Sequence, residues 1–199
     1  ELSESAQQNI FQILQSSLAD DGFVIFLEPA QIEASRTLLK FRDAAVQKGW
    51  FVYAPCLTHK NCPALIDEKD WCHHRRIWER PKFIATIDEM IGNIKKSLKF
   101  SYVILTQQDV HVTDFVSPKR NFENQFRVVS ELFKEKGRSH AFLCNDLGRN
   151  DFLRNKRDRT GSNEDFSALQ RYDLVQIESF TAKKHHMQVE KDSKVVKLS

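Results

Sequence analysis

Residues 22–53 read GFVIFLEPAQIEASRTLLKFRDAAVQKGWFVY. The apolar run over 23–27 is typical of a buried parallel strand, and the proline that follows it ends the ladder. Apolar side chains at helical spacing predict an amphipathic helix over 31–47, and a second apolar run predicts a strand over 50–53. This order indicates an α/β sheet, whose ligands bind at the carboxyl ends of its strands. Cys56 lies just beyond such an end.

The remaining sequence divides into two parts of different character. A helix is predicted over 81–97 and a buried strand over 101–106, and both continue the α/β pattern of a first part, 1–110. Residues 55–80 form an irregular, cysteine-rich insertion within it. Short apolar runs joined by turn residues make the second part, 111–199, a β-rich extension.

The composition is that of a chain with enough apolar residues for a core. Of its 199 residues, 41% are hydrophobic and 29% are charged, and the formal net charge is +3. No apolar run approaches the length of a membrane span, and no secretory signal is visible, so we expect no membrane partner. The chain begins without an initiator Met, which indicates a fragment of a longer protein.

Four cysteines are the most informative feature for function. Three of them follow the pattern Cys-x5-Cys-x9-Cys at Cys56, Cys62 and Cys72, and Cys144 lies far downstream. Thiolates are soft ligands that select iron–sulfur clusters, zinc or copper(I). The spacing matches neither a common zinc ribbon nor the bacterial ferredoxin run, so it leaves the metal undecided. A pair of disulfides is a weaker alternative, and nearby histidines could replace a cysteine: His59, His73 and His74.

Basic residues form two candidate contact groups for RNA phosphates. The insertion group can also balance the negative charge of a thiolate-ligated cluster. A solvated surface rich in Lys and Arg is the alternative for both groups. The insertion group is Arg75, Arg76 and Arg80, and the extension group is Lys134, Lys136 and Arg138.

Catalytic signatures are missing from the sequence. It contains no Ser/His/Asp signature, no phosphate-binding glycine loop and no HExxH motif. The catalytic residues and the residues that would bind an organic cofactor are therefore unknown.

Several motifs together resemble a known family. They are APC-x5-CP at 54–63, DWCH-x-R at 70–75 and KFSYVIL at 99–105, preceded by L-x-DDGFVIFLEP at 18–29 and followed by K-x-KG at 134–137. The combination is similar to the mitochondrial small-ribosomal-subunit methyltransferase-like family, whose bacterial relatives are described as predicted rRNA methylases. His74 departs from the aromatic residue expected at its position.

The resemblance implies a fold, a cofactor and a partner. The fold would be the C-terminal part of a class I, Rossmann-like, S-adenosylmethionine-dependent methyltransferase with a small β-rich extension. The cofactor would be a four-iron four-sulfur (4Fe-4S) cluster held by Cys56, Cys62, Cys72 and Cys144. S-adenosylmethionine would bind only with an upstream half, so we expect this chain alone to be inactive.

The expected partner is the small ribosomal subunit or its rRNA, in the cytoplasm of a bacterium or the mitochondrial matrix of a eukaryote. Two alternatives stay open. One is a ribosome assembly factor that has kept the family's shape without catalysing transfer. The other is an RNA-binding module stabilised by zinc.

Overall fold

A computed structural model of the chain describes residues 4–115 and 124–198. Its helices are α1 (Glu4–Ser17), α2 (Ile32–Gln47) and α3 (Lys82–Ile91), with short 3-10 segments at Pro63–Leu65, Val112–Phe115, Lys156–Asp158 and Gly161–Ala168. The strands are β1 (Phe23–Pro29), β2 (Phe51–Ala54), β3 (His74–Ile77), β4 (Ser97–Thr106), β5 (Gln125–Val128), β6 (Phe133–Glu135), β7 (Arg138–Asn145), β8 (Gly148–Asn155), β9 (Leu174–Ala182) and β10 (Met187–Lys197).

The elements predicted from residues 22–53 are present as β1, α2 and β2, close to the predicted bounds. The predicted helix over 81–97 is shorter in the structure. It ends at Ile91 because Gly92 adopts a left-handed conformation, with φ of 66°, that closes the last helical turn. The residues that follow instead lengthen β4, which begins at Ser97.

An open sheet forms the first part of the fold, in the order β1-β4-β2. Both outer strands run antiparallel to β4, and β3 pairs antiparallel with the beginning of the same strand. Because β1 is an edge strand with one uncovered face, its alternate side chains are exposed: Phe23 at 46%, Ile25 at 68% and Leu27 at 65%. The prediction of a buried parallel strand here is therefore wrong.

The core of the open sheet lies on one face, beneath α1 and α2. Phe11 of α1 stacks on Phe41 of α2 at a centroid distance of 4.8 Å, and Trp50 lies beside them. From the sheet, Val52 and Leu105 are fully buried in the same cluster. The two helices thus cover one face, while no helix of the described residues covers the face of Phe23, Ile25 and Leu27.

The second part of the fold is a closed barrel. Its strands follow the order β5-β9-β10-β8-β7, and a further pairing between β5 and β7 closes the ring. Neighbouring strands are antiparallel except for β8 and β10, which run parallel over three residue pairs. A five-stranded Greek-key barrel of this connectivity is an OB-fold. The short strand β6 pairs with the first residues of β7, whereas β5 pairs with its last residues.

Aromatic side chains fill the barrel interior. Phe126 packs against Phe152 and Phe180 with ring centroids 4.7 Å and 5.7 Å apart, and the first two rings are fully buried. Phe166, from the 3-10 segment between β8 and β9, closes the same core. Closure removes the exposed strand edges that the open sheet retains.

These two sheets overturn the predicted fold class. A Rossmann-like α/β fold requires neighbouring parallel strands joined by helices, but β1 and β2 are separated by the antiparallel β4. The β-rich extension is a complete barrel with its own core rather than a small addition. The error arose because a short continuous apolar run is compatible with a buried parallel strand and with an antiparallel edge strand. No helix among the described residues has both the length and the hydrophobicity for a membrane crossing.

Candidate metal centre

All four cysteines line one cavity between the open sheet and the barrel. Cys56 follows β2, Cys62 precedes the Pro63–Leu65 segment, Cys72 precedes β3, and Cys144 lies on β7. The cavity has a volume of about 40 Å³ and is partly open to solvent. All four thiols are free. The fold therefore brings together the cysteines that the sequence separates by up to 88 positions, from Cys56 to Cys144.

Hydrogen bonds from α2 hold the cysteine-rich insertion in place. The backbone N–H of Cys62 donates to both carboxylate oxygens of Asp43, at 2.9 Å and 3.1 Å. The buried guanidinium of Arg42 donates to the carbonyls of Thr58 and Lys60. Arg36 likewise donates to carbonyl oxygens between positions 64 and 70. The side chains of one helix thus position the loop that runs from Cys56 through Cys62 to Cys72.

Three arginines line the cavity beside the thiols: Arg42, Arg127 and Arg149. Arg127 Nε donates to the Pro55 carbonyl at 3.0 Å, which joins the barrel to the loop before Cys56. Arg42 Nε, Arg149 Nε and the Trp71 indole nitrogen are buried donors without a hydrogen-bond partner in the described structure. Buried donors of this kind cost free energy unless an acceptor is supplied. A negatively charged group with sulfur acceptors would supply one.

Burial strongly affects the thiols. It raises the pKa of Cys62 to about 12 and that of Cys72 to about 11, and the neighbouring cysteines add to the rise for both. The pKa of Cys144 is also raised, first by burial and then by the other three thiols. With these raised pKa values, Cys62, Cys72 and Cys144 are protonated at neutral pH. A metal centre that binds them must therefore displace their protons, and its binding couples to pH and to folding.

Tyr172 is a cavity residue that the sequence did not indicate. Its hydroxyl lies 3.4 Å from Cys72 Sγ, and its carbonyl accepts a hydrogen bond from Arg127 at 2.8 Å. Its φ of 74° is in the left-handed region, which costs a residue other than glycine about 1 kcal/mol or more. The neighbouring Arg171 anchors the segment by donating to the carbonyls of Val129 and His73. The strained backbone directs the tyrosine toward the thiols.

The nearby histidines have other contacts. His59 Nε2 accepts a hydrogen bond from the backbone of Val52 at 3.1 Å, and the His74 ring packs against Tyr172 at 4.5 Å. Burial, and after it the charge of Arg171, lowers the pKa of His73 to about 4, so this ring is neutral at pH 7. Among the described residues that line the cavity, none is a histidine.

The four thiols do not surround one common point. In the described parts of the chain, no three His, Cys, Asp or Glu side chains form a group that could hold a metal ion as they stand. The thiols share a cavity, but they are not drawn around a single point. The chemistry of the set still fits a thiolate-ligated group, because four soft ligands, three arginines and unpartnered buried donors surround one space.

The six residues predicted to contact RNA fall into separate places. Arg80 bonds to Asp88 at 2.9 Å, and Arg75 lies 3.4 Å from Glu131. Arg76 is exposed on β3, and Lys136 is exposed in the turn after β6. Lys134 and Arg138 line a second cavity at the end of the barrel, together with Arg154, Lys156 and Arg159, which we call the basic cleft.

The family model described as "Mitochondrial small ribosomal subunit Rsm22" matches residues 1–167. The chain belongs to this family. Membership confirms the resemblance proposed from the sequence motifs. No curated protein matches the chain.

Two solved structures show weak similarity to this family member. "Crystal structure of the tetrameric p202 HIN2" is 7% identical with a TM-score of 0.29, and the match covers 48% of this chain and 52% of that one. "Structure of murine DNA binding protein bound with ds DNA" is 12% identical with a TM-score of 0.30, covering 55% and 74%. The chain thus spans about half the length of the first structure, and neither likeness is strong enough to support an argument.

Proposed function

We propose that this chain is part of a protein that associates with the small ribosomal subunit through its rRNA, and that it holds a 4Fe-4S cluster joining its two parts. The family description, which names the mitochondrial small ribosomal subunit, supports the partner. In a eukaryote the location would be the mitochondrial matrix. The open sheet and the barrel give no reason to assign methyl transfer to this chain. The role that we propose is binding and assembly.

The cluster proposal is supported by the single cavity that all four cysteines line. Cys56, Cys62 and Cys72 come from the insertion, whereas Cys144 comes from the barrel. A cluster bound to all four would connect the open sheet to the barrel through covalent thiolate ligands. The arginines would balance its negative charge, and the buried donors would find acceptors. Its binding free energy would add to the free energy of folding.

Zinc is the second candidate for the same cysteines. Four thiolates suit a structural zinc site, but they must surround one ion at about 2.3 Å each. We favour the cluster because the family resemblance implies it, and metal analysis distinguishes the two.

The first experiment is metal analysis of the whole chain purified without oxygen. We expect iron and sulfide in near-equal amounts, with a broad visible absorption that Cys72→Ser and Cys144→Ser both abolish. Val129→Ala is the matched control, because Val129 lines the same cavity and its truncation removes bulk without removing a thiol. One zinc per chain without colour would favour the zinc alternative. Neither metal, with four free thiols, would contradict the proposal.

Melting temperatures of the same variants test the structural role. Loss of the cluster should lower the melting temperature of both serine variants by about 5–10 °C, because several kcal/mol of folding free energy are lost. Unchanged melting temperatures together with lost iron would mean that the cluster is not structural.

The RNA contact is tested with transcribed small-subunit rRNA. We expect Lys134→Glu with Arg138→Glu to weaken binding and to reduce its dependence on salt. Lys194→Glu is the control, since this exposed lysine lies on β10, outside the basic cleft. Equal weakening by the control would indicate nonspecific attraction.

A further inference from the structure

The backbone of Tyr172 is fixed in a conformation that a tyrosine rarely adopts. Its φ of 74° lies in the left-handed region that favours glycine. Its N–H donates to the Val128 carbonyl at 2.7 Å, and its own carbonyl accepts a hydrogen bond from the Arg127 guanidinium at 2.8 Å. Two hydrogen bonds to β5 thus hold a strained conformation, and strain of this kind is concentrated at functional sites, where a side chain must be directed to a fixed place.

Neighbouring rings fix the direction of the Tyr172 side chain. Its ring packs against His74 of β3 at a centroid distance of 4.5 Å and lies 5.9 Å from the ring of Tyr102 on β4. Both neighbours belong to the open sheet, whereas Tyr172 belongs to the barrel and precedes β9. Because its backbone and its ring are both held, the fold itself places the Tyr172 hydroxyl 3.4 Å from Cys72 Sγ.

Cys72 is held from its own side of the cavity. Its carbonyl accepts a hydrogen bond from the Ser101 hydroxyl at 2.8 Å. Two residues further along the chain, His74 begins β3 and pairs with Phe100 of β4. The part of the insertion that contains Cys72 is therefore anchored to β4, and both atoms of the contact with Tyr172 belong to positioned segments.

The protonation of the sulfur decides which atom of this pair donates. With a free thiol either atom can be the donor, since the thiol and the phenol each carry a hydrogen. A sulfur that binds a metal is a thiolate, so the donor must then be the phenol, whose ordinary pKa is about 10. A hydrogen bond to a charged acceptor is stronger than one between neutral groups. Hydrogen bonds to the ligand sulfurs are among the factors that set the reduction potentials of iron–sulfur clusters.

We propose that Tyr172 is a positioning residue for the metal centre, whose hydroxyl donates to the Cys72 thiolate and sets how readily the centre accepts an electron. The inference rests on the proposed function, because it requires the 4Fe-4S cluster. Reduction adds one electron from an external reductant such as dithionite and makes the centre more negative. The hydrogen bond stabilises that more negative state, so it raises the reduction potential. No ligand bond forms or breaks, and the phenol keeps its hydrogen.

The test compares two hydroxyl deletions in the whole chain purified without oxygen. Tyr172→Phe removes the donor and keeps the ring, so we expect unchanged iron and sulfide content and an unchanged melting temperature. Its reduction should be about three- to tenfold less favourable, which lowers the midpoint potential by roughly 30–60 mV for one electron. A dithionite titration followed by visible absorption measures the shift. Tyr102→Phe is the matched control, because the Tyr102 ring adjoins that of Tyr172 but does not line the cavity. Its potential should equal that of the unmodified chain.

The outcomes separate this inference from the proposed function. If the unmodified chain holds iron and sulfide but Tyr172→Phe has the same potential, the inference is wrong and the cluster stands. An equal shift in Tyr102→Phe would also overturn it, because the effect would not depend on the bond to Cys72. Loss of iron from Tyr172→Phe would mean that the hydroxyl is needed to retain the centre rather than to adjust its potential. An unmodified chain that holds zinc, or no metal, contradicts the inference and the proposed cluster together.

Discussion

The open sheet and the barrel use similar apolar side chains in different ways. Ile25 in the open sheet is 68% exposed, whereas Ile177 in the barrel is fully buried. The barrel closes through the pairing of β5 with β7, so each strand has an interior face. Within residues 4–115 and 124–198, the helices that pack on the sheet of β1, β4 and β2 cover one of its faces. The difference teaches that closure, rather than apolar content, decides whether a strand is buried here.

The two parts also contribute unequally to the candidate metal centre. Three cysteines lie on an irregular loop that contacts with α2 hold in place. The fourth, Cys144, lies within the hydrogen-bonded pairing of β7 and β8. The barrel is thus the rigid side of the cavity, and the insertion is the side that a bound cluster would order. Loss of the cluster should therefore loosen the insertion before it affects the barrel.

The largest expected effect comes from truncating the two cores. Phe126→Ala should destabilise the chain by about 3–5 kcal/mol, because Phe126 is fully buried between two other rings. Phe11→Ala should cost less, since it can release α1 locally while the barrel stays folded. Chemical denaturation measures the first effect, and hydrogen exchange locates the second. Loss of protection throughout the barrel in Phe11→Ala would show that the two cores are one cooperative unit.

A smaller effect is expected from a matched pair of isoleucines. Ile177→Val should cost about 1 kcal/mol, because it removes a methylene from the barrel core. Ile25→Val should change the free energy of unfolding by less than about 0.5 kcal/mol, since the side chain is exposed. Denaturant titration compares the two variants directly. Equal costs would mean that the outer face of β1 is covered in the intact protein.

The smallest effect concerns the polar contact that holds α3. The hydrogen bond from Arg80 lowers the pKa of Asp88, so the pair stabilises the fold above the ordinary pKa of the carboxyl group and is lost as the pH falls below it. Arg80→Gln should lower the melting temperature by about 1–3 °C at pH 7 and by less near pH 3. Its RNA affinity should be unchanged, because Arg80 lies outside the basic cleft that we propose as the RNA contact. Arg76→Gln, on exposed β3, is the control for stability; a pH-independent difference for Arg80→Gln would contradict this assignment.

Local patterns in the sequence were enough to predict several elements. Apolar spacing placed α2 and β2, and turn residues between two apolar runs separated β7 from β8. The clustering of Cys56, Cys62 and Cys72 identified a candidate site, and the motifs identified the family. Each of these features depends on residues that are close together in the sequence, so it can be predicted without knowing the tertiary structure.

The partners of each strand could not be predicted in the same way. Nothing local in the run over 23–27 states that β1 pairs antiparallel with β4, so the predicted Rossmann-like sheet was wrong. Arg42 was missed because a single arginine within an amphipathic helix ordinarily lies at the surface. Tyr172 was missed because its position depends on a left-handed backbone conformation that favours glycine.

The sequence by itself determined α2, β2, the four cysteines as a candidate site and the family. Only the tertiary structure decided that the extension closes into a barrel and that Cys144 lies in one cavity with the other cysteines. The physical reason is that the spacing of apolar side chains along a helix or strand indicates which of its faces is buried. Strand order and direction depend on contacts between residues far apart in the chain, and those contacts leave no periodic signal.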